Sequence, residues 1–154
     1  MAEAPKPIRY HWIRLRASSH PTEDLAKVGQ AVAFVAGADA ATFKPEVTAM
    51  ESHHGGTVHL VEHVLDKSRA VRDLLQRLLE LPGARDELAR TLDARTDDDG
   101  VFYARVEKQD ALAGRLVLTR GDDCIQLRLK LEHYPATRAA AVAALTRLLA
   151  ADKA

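Results

Sequence analysis

The sequence predicts an α+β fold of two layers: one mixed or antiparallel sheet with all its helices on one face. Three observations carry this. Six segments read as strands, most of them alternating apolar and polar residues, and four others read as helices, with apolar residues recurring every three to four positions. The two kinds are intermixed without the regular alternation of a doubly wound sheet. No internal repeat or low-complexity linker divides the 154 residues, so they read as a tail over 1–7 and one domain over 8–151.

The first strand is expected over 8–18, with His11, Ile13, Leu15 and Ala17 on one face and Tyr10, Trp12, Arg14 and Arg16 on the other. Thr22 is placed to cap the next helix, with Glu23 and Asp24 in its first turn, where the helix dipole favours carboxylates. Leu25, Val28, Val32 and Val35 form its apolar stripe, and Gly37 ends it. A strand over 43–51, a turn at His53-His54-Gly55-Gly56 and a strand over 57–65 read as a hairpin. Asp66 is then expected to cap an amphipathic helix carrying Val71, Leu74, Leu75, Leu78 and Leu79, stopped by Pro82-Gly83. A shorter helix follows over 84–92.

The segment from Asp93 to Gly114 reads as an acidic turn, Asp97-Asp98-Asp99-Gly100, a strand over 101–106, and a polar corner at Lys108, Gln109 and Asp110. A strand over 115–119 is expected to return from that corner. The strand over 124–131 turns Ile125, Leu127, Leu129 and Leu131 inward and Gln126, Arg128 and Lys130 outward. Tyr134-Pro135 breaks it and begins a last helix, with Val142, Leu145, Leu148 and Leu149 toward the core.

With helices on one face, the polar faces of the strands lie together on the other. Tyr10, Trp12, Arg14, Arg16, Tyr103, Arg105, Arg115, Arg128 and Lys130 would share it, cations for phosphates and rings for bases. The corner residue Lys108 and the hairpin residues His53 and His54 are further candidate phosphate contacts. Lysine plus arginine and aspartate plus glutamate both count 22, so a basic surface must arise by segregation of charge.

Other chemistries are weaker in the sequence. His59-Leu60-Val61-Glu62-His63 matches the H-x-x-E-H string of inverted zinc peptidases, which needs one helical turn between the histidines. On a strand they would stand about 13 Å apart, too far to share an ion. The Asp97–Asp99 run lacks the spacing and terminal glutamate of a calcium loop, and no nucleophile elbow or glycine-rich phosphate loop occurs. The expectation is a non-enzyme without metal or cofactor, and a protein-docking module is the alternative to nucleic-acid binding. One cysteine, Cys124, no secretory leader and no membrane-length apolar run suggest a cytoplasmic location with no membrane partner.

Four strings, SSHPTEDLAKV, ESHHGGTVHLVEHVL, DARTDDDGVFYARVEKQDALAG and DDCIQLRLKLEHYP, resemble an archaeal family of small RNA-binding-domain proteins predicted to be exosome subunits or exosome-associated factors. The resemblance runs from Ile8 to about Leu149. Its most specific parts are HPTED at His20 to Asp24 and the R-x-x-K-Q-x-A-x-x-G run at Arg105, Lys108, Gln109, Ala111 and Gly114. It implies a fold like that of the ribosomal large-subunit protein that binds five-S RNA, RNA as ligand, and an accessory role beside the exosome in RNA processing or degradation. It brings no catalytic residues. The family's hairpin turn reads like G-H-x-G-N-P, whereas this chain has Ser52-His53-His54-Gly55-Gly56-Thr57.

Overall fold

The computed structural model describes residues 8–53 and 55–150. Alternation of apolar residues produces β1 (Arg9–Ser19), β2 (Glu46–Glu51), β3 (Thr57–Leu65), β4 (Phe102–Glu107) and β5 (Cys124–Glu132). They form one sheet in the order β2-β3-β1-β5-β4, and every neighbouring pair is antiparallel. The helices are α1 (Leu25–Ala36), α2 (Ser68–Leu79), α3 (Ala84–Arg90), α4 (Leu92–Arg95), α5 (Lys108–Leu112) and α6 (Arg138–Ala150).

One apolar core lies between sheet and helices. Ile13, Leu15, Ala17, Ile125, Leu127 and Leu129 meet Val71, Leu74 and Leu78 of α2 and Val32 and Val35 of α1. Leu74 is fully buried, and truncating such a side chain to alanine costs about 2–5 kcal/mol. Two arginines tie helix ends to this layer. Arg77 donates to the Phe34 and Val35 carbonyls at the end of α1, and Arg85 to those of Leu148 and Leu149 near the end of α6. Each supplies donors and positive charge where terminal carbonyls lack partners.

Several local expectations change. Asp24, not Thr22, caps α1, its Oδ1 accepting from the Ala26 N–H at 2.9 Å. The residue before α2 is Lys67 rather than Asp66, and it makes no side-chain cap. β2 starts at Glu46 rather than at 43, the 84–92 helix divides into α3 and α4, and α6 begins at Arg138, three residues beyond Pro135.

The polar corner after β4 is the short helix α5, and 115–119 is not a strand. That segment runs beside β4 through one bridge, Val106 to Leu118, and through Glu107 N–H to the Val117 carbonyl and Thr119 N–H to the Arg105 carbonyl. It therefore covers the outer edge of β4. The opposite edge, β2, is exposed along its whole length. Residues 1–7, 151–154 and His54 lie outside the described residues.

Candidate functional site

Strand register assembles the open face row by row. Tyr103 of β4 lies opposite Arg128 of β5, which lies opposite Arg14 of β1. The next row toward the end of β1 is Arg105, Gln126 and Arg16, and on the other side Lys130 faces Trp12. The alternation of β1, β4 and β5 thus brings Trp12, Arg14, Arg16, Tyr103, Arg105, Arg128 and Lys130 together on the side away from the helices.

Two guanidinium groups lie over aromatic rings there. The Arg14 guanidinium carbon is 4.2 Å from the centre of the Trp12 ring, and that of Arg128 is 5.4 Å from the centre of Tyr103. At an exposed position such a contact contributes about 0.5–1 kcal/mol, so a competing base can displace either guanidinium or stack on it. Trp12 and Tyr103 are two strands and two residues apart, roughly 12 Å along the sheet. Arg14 and Arg16 are exposed, and neither forms an ion pair among the described residues.

The acidic turn steadies one side of this patch. The Tyr103 hydroxyl donates to Asp97 Oδ2 at 3.0 Å, and Lys130 Nζ donates to the Asp99 carbonyl. Burial and the hydrogen bond to Asp97 raise the Tyr103 phenol above its ordinary pKa. Burial pushes Asp97 the other way, yet the Val101 N–H, the Tyr103 hydroxyl and the Asp99 N–H outweigh it and hold the carboxyl below its usual range. Gly100 closes the turn at φ 81°, and a Cβ there would lie 2.7 Å from Ala141.

Tyr10 is on the opposite side. The register shifts between Tyr10 and Trp12, so Tyr10 faces Leu131 while Trp12 faces Lys130. This β-bulge admits His11 as an extra residue and turns Tyr10 toward the helix layer, where it packs against the core. Burial raises its phenol pKa, against the pull of Arg72 on α2. Strict alternation could not reveal the bulge.

Lys108 is also displaced from its expected place. It is 2% exposed, and its Nζ donates to the Ser18 carbonyl at 2.9 Å and to Glu23 Oε1 at 2.8 Å, with Asp123 Oδ1 at 2.7 Å. Burial works against its charge, but Asp123 and Glu23 outweigh burial and raise its pKa. The same contacts keep both carboxyls below their usual range: Glu23 against burial, and Asp123 with the Lys108 hydrogen bond as the largest cause. This lysine ties β1, the turn into α1 and the loop before β5 together; it faces no solvent phosphate. His20, Glu23 and Asp123 are close enough to hold a metal ion, but the ammonium of Lys108 already lies between the two carboxylates.

Arg115 leaves the open face as well, because its segment is not a strand; it pairs with Asp110 of α5 at 3.0 Å. His53 is exposed in the β2–β3 turn, and His54 lies outside the described residues. His59 and His63 stand four residues apart on β3, opposite Ser19 and Leu15 and so toward the helix layer, and the His63 ring packs 4.6 Å from Phe43. The strand therefore separates the histidines of the H-x-x-E-H string.

The other half of the open face differs in charge. Glu46 lies directly opposite Glu62, flanked by Leu60, Thr48 and an exposed Val64. Neither glutamate was singled out from sequence as limiting the basic patch, although both fall in outward positions of their strands.

A family model described as RNA binding matches residues 12–131. The chain belongs to this RNA-binding family. All the open-face residues named on β1, β4 and β5 fall within the matched span, and Tyr10 falls outside it. The RNA-binding protein PAB1135 of Pyrococcus abyssi is 30% identical over 146 residues, covering 92% of this chain and 95% of the relative. The structure of Mth689, a DUF54 protein from Methanothermobacter thermautotrophicus, superposes with a TM-score of 0.76 at 32% identity, over 93% of this chain and 99% of the other. A UPF0201 protein from Methanococcus jannaschii shares the fold, with a TM-score of 0.59 at 15% identity over 93% and 95% of the two chains. No helix among the described residues is long and apolar enough to cross a membrane.

Proposed function

We propose that the chain binds single-stranded RNA on the β4–β5–β1 half of its open sheet face and performs no chemistry on it. The observation that carries this is the pair of arginine-covered rings, Arg14 on Trp12 and Arg128 on Tyr103, set side by side by strand register. Bases stack on the rings or the guanidinium planes, and Arg14, Arg16 and Arg128 meet phosphates. A regular duplex hides its base faces, so the rings select unpaired strands. The resemblance in sequence supports the finer reading of an accessory in RNA processing or degradation, working beside the exosome. The family and the Pyrococcus relative support RNA as the ligand.

Trp12 is the only tryptophan and reports on this face directly. Titration with a short single-stranded RNA should quench its fluorescence at low salt and progressively less as salt rises. Unchanged fluorescence together with no RNA retained on a filter would remove the reading.

One feature favours a second reading, docking of a protein. Met50 of β2 and Val64 of β3 are large apolar residues about half exposed on the open face, beside an uncovered strand edge. An interface centred on them would tolerate salt that releases RNA.

A further inference from the structure

A cleft of about 690 Å³ opens at the end of the sheet where β1, β5 and the start of α5 converge. It continues the open face, because Arg16, Gln126 and Arg105, one row across three strands, all line it. Ser18 and Cys124 line it deeper along the same two strands, and Asp122 stands on its loop side.

The hydrogen-bonding capacity in this cleft is unevenly used. Lys108 engages Glu23 and Asp123, so those groups are already satisfied. Arg16 has no ion-pair partner among the described residues, and the Gln126 amide has no hydrogen bond among them. Arg105 is held only by long contacts of 3.3–3.4 Å to Asp122 and to the Arg120 and Gly121 carbonyls. Asp122 is fully exposed and keeps one carboxylate oxygen outside that contact. Two weakly engaged cations therefore flank an unengaged primary amide at the mouth of a concave site.

We infer that this cleft receives one unstacked base of the bound strand, its phosphate between Arg16 and Arg105 and its edge on Gln126, with adenine preferred over uracil. The inference rests on the RNA reading of the open face. A primary amide offers an acceptor and a donor side by side, which matches the amino group and ring nitrogen of adenine. Uracil carries a single N–H on its edge, between two carbonyl oxygens, and so can serve the Gln126 amide or the Asp122 carboxylate but not both, whereas the two hydrogens of the adenine amino group can serve both. Arg14, Trp12, Arg128 and Tyr103 would then hold the neighbouring nucleotides, and the cleft would set which base enters.

The test compares fluorescently labelled A6 and U6 oligoribonucleotides by anisotropy at one salt concentration, with Trp12 fluorescence followed in parallel. Stacking alone favours adenine, so the decisive quantity is how the A6 to U6 ratio changes with Gln126. Wild-type protein should bind A6 about tenfold more tightly than U6, and Gln126→Ala should reduce the ratio to about threefold or less by weakening A6 more than U6. Gln126→Glu keeps the size but loses the donor, and should weaken A6 at least as much; unchanged thermal melting of either variant certifies the fold. If both oligomers bind and quench Trp12 while the two folded variants keep the wild-type ratio, the cleft assignment is wrong and the open-face reading survives. If neither oligomer binds wild-type protein at any salt, the open-face reading fails and takes the cleft with it.

Discussion

Lys108 and Arg16 show how differently two cations can be used at one end of one sheet. Lys108 reaches the Ser18 carbonyl, two residues along β1 from Arg16, and is enclosed by Glu23 and Asp123. Arg16 projects from the same strand into solvent, and although Glu62 lies across from it on β3, it forms no ion pair among the described residues. The first charge holds three segments of chain in place; the second is available to a ligand. The lesson is that a basic residue is assigned by the groups that surround it, since both read alike as phosphate contacts in the sequence.

The largest effect should come from erasing the enclosed charge. Lys108→Met leaves Glu23 and Asp123 facing each other without their cation, and a fully buried pair broken in this way costs about 3–5 kcal/mol. Asp123 is half exposed, so a loss of about 2–3 kcal/mol is expected in urea unfolding. RNA affinity of the folded fraction should fall by no more than about twofold, the effect of one lost charge beside the cleft. A variant of wild-type stability with weakened RNA binding would erase the distinction between the two cations.

Acid should reproduce a smaller version of this loss. Glu23 and Asp123 titrate lower in the folded protein than unfolded, so their contribution is complete above the ordinary carboxylate range and disappears as pH falls through their depressed values. Lys108 is shifted upward, so its share persists below the ordinary lysine value and fades only as pH rises through the elevated one. Unfolding free energies of wild type and Lys108→Met, measured from neutral pH downward, should converge in acid.

The exposed pair should behave in the opposite sense. Arg14→Ala with Arg16→Ala should leave the melting temperature within a degree or two and weaken single-stranded RNA about tenfold at low salt. The slope of log affinity against log salt should become shallower by about 1.4, two phosphate contacts at 0.7 each. Smallest of all, Glu62→Gln should tighten RNA about twofold by removing repulsion beside Arg16, an effect lost at high salt.

The core was readable in the sequence because alternation is local. Ile13, Leu15, Ala17, Ile125, Leu127 and Leu129, and the five apolar residues of α2, are buried as their spacing requires. The same local pattern placed Trp12, Arg14, Arg16, Tyr103, Arg105, Arg128 and Lys130 on one face, although which strands adjoin was not encoded in any of them. Tyr10 was misplaced because a bulge changes the phase of a strand at a single residue. Lys108 was misread because its partners, Glu23 and Asp123, are 85 and 15 positions away, and a buried lysine has no local signature. Gln126 faces outward by the same alternation, but a neutral amide on an outward position carries no signal of a ligand until the register sets it between Arg16 and Arg105.

The uneven edges of the sheet bear on how the protein behaves when crowded. With β4 shielded by residues 115–119, β2 is the edge left open among the described residues, so these would let copies pair but not extend through both edges of the sheet. Even pairing is opposed, because β2 begins at Glu46 and ends at Glu51, and two copies meeting there would bring four carboxylates into one seam. In a chain with no net charge, which lacks the mutual repulsion that keeps many proteins apart, two glutamates thus supply repulsion locally, at the open edge.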